Sequence, residues 1–177
     1  SIELMNGTIN DKFIGFMRES DLAEVQISSN RASSQNGLVS TDLIDVNIQD
    51  DTLNVNFQKS EYLNSFFLLS KEILDLSSLS DGYINLTARV NDTGGEVKYI
   101  LSCGVGCFPL IDLTEFFQTS KEFKNYSIPI ECFTNYSNLD LTRVNLPMYL
   151  ATQGPLNIDI SKAYISRDRG DKVLSCY

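Results

Sequence analysis

A β-sandwich, with two sheets closed over one core, is the fold this sequence predicts, and three observations predict it. Between Gly82 and Ile165 four short runs alternate apolar with polar residues: Ile84 to Val90, Val97 to Leu101, Tyr126 to Ile130 and Leu156 to Ile160. Period-two alternation buries one face of each run and turns the other outward. Turn chemistry separates the runs, as at Asn91-Asp92-Thr93-Gly94-Gly95. Strands of this kind are stable when two sheets share one interior.

Taken in order, the chain opens with a strand over Ser1 to Gly7 and a short apolar run at Phe13 to Met17. Glu24 to Ser28 reads as a strand, and the Ser- and Asn-rich stretch Ser29 to Gly37 as a loop. Leu43 to Ile48 and Leu53 to Phe57 are extended, the second alternating Leu53, Val55 and Phe57 with Asn54 and Asn56. Tyr62 to Leu69 ends in an unbroken apolar run and is assigned as a strand, and Leu74 to Leu79 leads to a turn at Asp81-Gly82. Leu110 to Phe117 is the best helical candidate, at one or two turns. Asn138 to Arg143 forms another short turn or helix before a strand over Pro147 to Thr152, which Gly154-Pro155 stops. In the last strand the alternation slips after Ile160 and resumes at Ala163 and Ile165, which predicts a β-bulge near Ser161-Lys162. Pro and Gly occur mostly singly, at turns, so residues 1–177 read as one domain.

Composition narrows the function. A chain of 177 residues, 42% hydrophobic and 21% charged, can bury a full core without a metal or staple. Its formal net charge of −9 and scattered basic residues speak against nucleic acid. No run of eighteen apolar residues is present, so no membrane partner is expected. The chain contains no histidine, which removes Ser-His-Asp and Cys-His chemistry and every His-containing zinc site. Four cysteines, Cys103, Cys107, Cys132 and Cys176, allow three pairings. Zinc held by four thiolates is the sharper alternative, but the two-residue knuckle spacing is missing, and at least one disulfide is expected. A disulfide places the protein outside the reducing cytosol, periplasmic or secreted. A start at Ser1 without Met reads as a fragment or processed form.

Several short motifs stand in one order. Val46 to Leu53, Asp81 to Leu86, Cys103 to Cys107 and Ile111 to Thr114 are followed by Ile128 to Phe133, Asp140-Leu141 and Pro147 to Thr152. Over residues 40–176 this resembles the extra C-terminal domain of family 3 glycoside hydrolases of the exo-1,3/1,4-β-glucanase and periplasmic β-glucosidase type. The resemblance implies a galactose-binding-like jelly roll, all-β with one or two short helical turns and similar to carbohydrate-binding modules. It also implies a bacterial parent enzyme whose catalytic nucleophile and acid lie in other domains. The family often carries Trp near Phe57 and Phe123, whereas this chain has no Trp.

The expected role is therefore a non-catalytic accessory domain that meets β-glucan or oligosaccharide and the catalytic domains of its own polypeptide. The alternative is a structural domain bracing those catalytic domains. With the apolar phase inside, the opposite strand face presents Asn54, Asn56, Gln58, Asn85, Thr87 and Arg89. Amides offer donors and an acceptor to paired sugar hydroxyls, and Arg adds a planar donor fork. Asn54, Asn56, Asn85 and Arg89 are the sugar-contact candidates, weighed against a solvated or domain-packed sheet face. Tyr149 and Tyr136 are the stacking candidates. No cofactor is required. Calcium could tie strands together through Asp50, Asp51, Asp159 or Glu3, although Asp-rich turns are usually only turns. Asp50 and Asp51 are adjacent and, if extended, point apart, so no glycosidase acid pair is nominated. Five Asn-x-Ser/Thr triplets, at Asn6, Asn85, Asn91, Asn125 and Asn135, would be glycan acceptors only in a eukaryotic secretory protein.

Overall fold

The computed structural model describes residues 43–49, 52–70, 73–134 and 138–176, with five short strands before them; side chains are described from residue 43 onward, except 48–49 and 67–70. The strands are β1 (Ile2–Leu4), β2 (Phe16–Met17), β3 (Ala23–Ile27), β4 (Ser33–Ser34), β5 (Val39–Ser40), β6 (Ile44–Gln49), β7 (Thr52–Phe57) and β8 (Asn64–Ser70). They continue as β9 (Tyr83–Thr93), β10 (Val97–Ile100), β11 (Leu110–Asp112), β12 (Lys124–Pro129), β13 (Met148–Thr152), β14 (Leu156–Ser166) and β15 (Lys172–Val173). The larger sheet runs β15-β12-β9-β14-β7-β6-β5, with β1 also on β14 and β2 on β1; the smaller runs β11-β10-β13-β8-β3-β4. Short 3-10 turns at Ser77–Leu79, Ile130–Phe133 and Leu141–Arg143 are the helical content among the described residues. No helix there is long and apolar enough to cross a membrane.

The core follows the period-two pattern. Leu53, Val55 and Phe57 of β7, Ile84, Leu86, Ala88 and Val90 of β9, and Leu156, Ile158 and Ile160 of β14 all turn inward. They share one cluster with Phe66, Tyr99, Met148 and Leu150 of the smaller sheet. Each large aliphatic side chain buried there contributes roughly 1.5–3 kcal/mol. Phe116 and Phe117 both meet the Tyr126 ring edge-on at 5.3 Å. The Tyr99 phenol, fully buried, donates to the Pro147 carbonyl at 2.7 Å, and burial pushes its pKa far above the ordinary value. Gly154, at φ 71°, lets the turn before β14 pass against the Gln58 backbone, where a Cβ would collide.

The alternation slip in β14 is a bulge, as its phase predicts. Its register with β9 shifts between Ile160 and Lys162, and again between Asn157 and Ile158. Three expectations need correction. Leu110 to Phe117 is not helical: Leu110, Ile111 and Asp112 pair with Ile100, Tyr99 and Lys98, and a turn follows at 114–116. The Asp112 carboxylate accepts the Thr114 N–H at 2.8 Å and fixes that turn, so sheet pairing overrides the local apolar spacing. The turn assigned to residues 91–95 is shorter, because Asp92 and Thr93 remain in the ladder opposite Asn157 and Leu156. Within the expected loop over residues 29–37, Ser33 and Ser34 pair with Gln26 and Val25. Of the run at Phe13 to Met17, residues 13–15 lie outside the described residues, as does the Asn6-Gly7 end of the first strand.

The cysteines form two disulfides, Cys103–Cys107 and Cys132–Cys176. They close loops of very different size, with sequence separations of 4 and 44. By loop-closure entropy, Cys132→Ser/Cys176→Ser should lower unfolding free energy by about 4 kcal/mol and Cys103→Ser/Cys107→Ser by about 2. Urea unfolding of both pairs checks this, and equal losses would contradict the entropic origin.

Candidate functional site

The outward phase of the large sheet is built by β7, β9 and β14 lying side by side. Asn54 of β7 stands opposite Asp159 of β14, and Asp159 stands opposite Arg89 of β9. Period-two geometry puts all three on one face, and β14 at the centre makes Asp159 the meeting point. Its carboxylate accepts from Asn54 Nδ2 at 2.7 Å and Asn91 Nδ2 at 2.9 Å. Arg89 donates to it from Nε at 3.1 Å and from an η nitrogen at 2.8 Å. The two amides also donate to Asn157 Oδ1, at 2.8 Å from Asn54 and 3.0 Å from Asn91. Asn54 and Asn91 therefore bridge the same pair of acceptors, and Asn157 keeps its own amide nitrogen without a partner among the described residues.

Asp159 is 8% exposed, so its charge is sheltered by protein. Burial pushes its pKa up, but hydrogen bonds from Asn91, Asn54 and Arg89, with the Arg89 charge, hold it below the ordinary carboxylate value. Beyond Arg89, its guanidinium lies 4.7 Å from the centre of the Phe123 ring. Phe123 is 38% exposed and sits one residue before β12. The face thus offers an aromatic ring, a guanidinium and amides in one cross-strand row. That set can hydrogen-bond hydroxyl groups and pack against an apolar ring face.

Of the sequence-derived candidates, Asn54 and Arg89 meet here, and Asn56 stands in the adjoining row between Asp45 and Asn157. Asn85 does not join them. It is 4% exposed, accepts from Ser127 Oγ at 2.6 Å and donates to the Asp168 carbonyl at 3.1 Å, so it is a buried clamp. Burial also removes it as a glycan acceptor. Tyr149 belongs to β13 of the other sheet, half-buried, where its hydroxyl accepts from Ser65 Oγ at 3.3 Å. Tyr136 lies outside the described residues. So do the calcium candidates Asp50 and Asp51 and the Glu3 side chain, while both Asp159 oxygens already face donors. Among the described residues no three acidic or thiol groups gather around a common point. The sequence reading names Phe123 only as a position where the resembled family carries Trp, not as a contact candidate, and it does not name Asn91 or Asn157 as members of the site. Asn157 was visible in the alternation of Leu156 to Ile160, and Phe123 in the backward extension of the phase of Asn125 and Ser127. Asn91 was hidden by its assignment to a turn.

The family model described as Galactose-binding domain-like matches residues 16–165. The extra C-terminal domain of exo-1,3/1,4-β-glucanase from a Pseudoalteromonas species superposes with a TM-score of 0.71 at 17% identity, over 100% of this chain and 99% of that one. Against the whole of that glucanase the TM-score is 0.67 at 18% identity; 88% of this chain is covered, and it spans only 20% of the enzyme. The family 30 carbohydrate-binding module of a cellulosomal cellulase from Clostridium thermocellum gives 0.64 at 13% identity, covering 95% of this chain and 99% of the module. At these identities the likeness is one of fold. No curated protein matches the chain by sequence.

Because the folded pKa of Asp159 is depressed, its network adds stability above the unfolded value of ~3.9, and that stability is lost as pH falls through the lower folded value. Asp159→Ala should cost about 2–3 kcal/mol at pH 7, the scale for breaking a sheltered charge-assisted network. In urea unfolding from pH 7 downward, the gap between variant and parent should narrow below pH ~3.9. A gap independent of pH would show that the carboxylate charge contributes nothing.

Proposed function

The chain belongs to the galactose-binding domain-like family, and on that premise we propose that it is a non-catalytic accessory domain of a β-glucan hydrolase. In this reading the outer face of the large sheet holds β-glucan or oligosaccharide near catalytic domains on the same polypeptide. The observation that carries it is the row formed by Phe123, Arg89 and the amides around Asp159. Arg89 is pinned at one edge by Asp159 and on one face by Phe123. Its remaining donors are thereby preorganised, which lowers the entropy lost on binding. Asn157, in the adjoining row, adds an amide nitrogen that has no partner among the described residues. The names of the neighbouring structures, a glucanase domain and a carbohydrate-binding module, support the class of ligand. A periplasmic or secreted setting is consistent with the two disulfides.

The second reading, a domain that braces its catalytic neighbours, is favoured by a different observation. The amide donors of Asn54 and Asn91 are occupied inside the network, so the face is largely self-satisfied. Exposed apolar side chains stand elsewhere, at Val105, Phe108 and Leu110 near the smaller sheet's edge.

Affinity electrophoresis in laminarin or mixed-linkage β-glucan separates the two. Retardation of the chain, weakened about fivefold or more by Phe123→Ala, is expected for binding through this row. Migration unaffected by either glucan, together with loss of thermal stability when the domain is deleted from its parent, would establish the bracing role instead.

A further inference from the structure

A second polar site adjoins the Asp159 network on the same face. Thr87 of β9 stands between Asn125 of β12 and Lys162 of β14, and the next row is Ser127, Asn85 and Tyr164. The bulge between Ile160 and Lys162 creates this arrangement. Unbroken alternation from Asp159 would aim Lys162 and Tyr164 into the core and turn the buried Ala163 and Ile165 outward. Instead the Lys162 ammonium rests 4.4 Å from the centre of the Tyr164 ring.

The chain after β14 then folds back across the second row. Gly170 N–H donates to Ser127 Oγ at 2.7 Å, Ser127 donates to Asn85, and Asn85 donates to the Asp168 carbonyl. A Cβ on Gly170 would lie 2.5 Å from the Asn125 carbonyl oxygen, so glycine permits the close pass. This latch carries Arg169 to the rim of a cleft of about 210 Å³, lined by Thr87, Asn125, Lys162, Tyr164 and Arg169 among others. Among the described residues no Asp or Glu lines the cleft, although the chain carries a net charge of −9. Arg169 is exposed, and the ion pairs among the described residues do not include it. Asp168 and Asp171 are near it in sequence but do not line the cleft.

We propose that this cleft is a subsite for an anionic oxygen group, a carboxylate or a sulfate ester, borne on a glycan. The inference rests on the carbohydrate-binding reading and extends its ligand class from neutral glucan to charged polysaccharide. The Arg169 guanidinium can pair two N–H groups with two oxygens of one such group, and Lys162 adds a point charge beside it. Thr87 Oγ1 donates to Asn125 Oδ1 at 2.8 Å, which leaves the Asn125 amide nitrogen as a further donor. The chain's overall negative charge opposes this only weakly, since charges more than ~8 Å away are screened at physiological salt.

The test is affinity electrophoresis of the full chain in three gels: neutral laminarin, alginate as the carboxylate polymer, and carrageenan as the sulfate polymer. One or both acidic polymers should retard the chain, and retardation should fall with added salt. Lys162→Gln/Arg169→Gln should weaken that retention about tenfold, with laminarin retention unchanged. Arg169→Gln alone, a change at an exposed position, should give a partial loss without a folding defect. Retention by laminarin but by neither acidic polymer would overturn this subsite and leave the carbohydrate-binding reading standing. Acidic-polymer retention that survives the double substitution would overturn it too. Failure of all three gels would remove both readings, and preference for alginate or carrageenan would identify the anionic group.

Discussion

Strand β14 has to meet the demands of two faces with eleven residues, and the local geometry of the large sheet follows from how it does so. It pairs with β9 on one side and β7 on the other, so its outward side chains are central on that face. Its inward side chains must fill the core along its whole length. The sequence satisfies both by inserting one extra residue at the bulge near Ser161. Ile158 and Ile160 are inside before it, Ala163 and Ile165 inside after it. Outward positions change parity across the same point, from Asp159 to Lys162 and Tyr164. The bulge therefore divides the face into an acid-centred network on one side and a cation-rimmed cleft on the other.

The two halves use polar groups differently. Around Asp159, one sheltered carboxylate gathers three donor side chains from the two flanking strands, and those amides hold the face rigid because moving any one leaves a partner unsatisfied. What remains for a ligand is the rim of the network: the Phe123 ring, the outer edge of Arg89 and the Asn157 nitrogen. Around Asn85 the same residue type does another job. There the amide sits beneath the chain and ties residues 168–170 to the sheet, so its contribution to recognition is to position Arg169. Asparagine on an outward strand phase is thus compatible with contact, bridging or clamping, and burial separates the three.

Legibility of the fold varied with the range of the interactions. Strands with clear alternation, such as β7, β9 and β14, were readable because burial of one face is a local property of the residue order. The stretch Leu110 to Phe117 was misread because its apolar spacing fits a helix turn, while its actual partners in β10 lie ten or more residues earlier. Asn91 was misplaced for the same reason: Gly94-Gly95 announces a turn, and only pairing with β14 shows that the strand continues to Thr93.

Residue order by itself determined the all-β class, the inward and outward faces of the main strands, and the slip in β14, because each depends on neighbours one or two positions apart. It also placed Asn54 and Arg89 on one side of their strands. Which strands lie adjacent was decided only by the tertiary structure, and with it the meeting of Asn54, Arg89 and Asn91 at Asp159. The burial of Asn85, the separation of Tyr149 onto the other sheet and the seating of Arg169 beside Lys162 have the same origin. Those contacts join residues separated by tens of positions, up to 105 for Asn54 and Asp159, and no local periodicity encodes a pairing that sheet order alone creates.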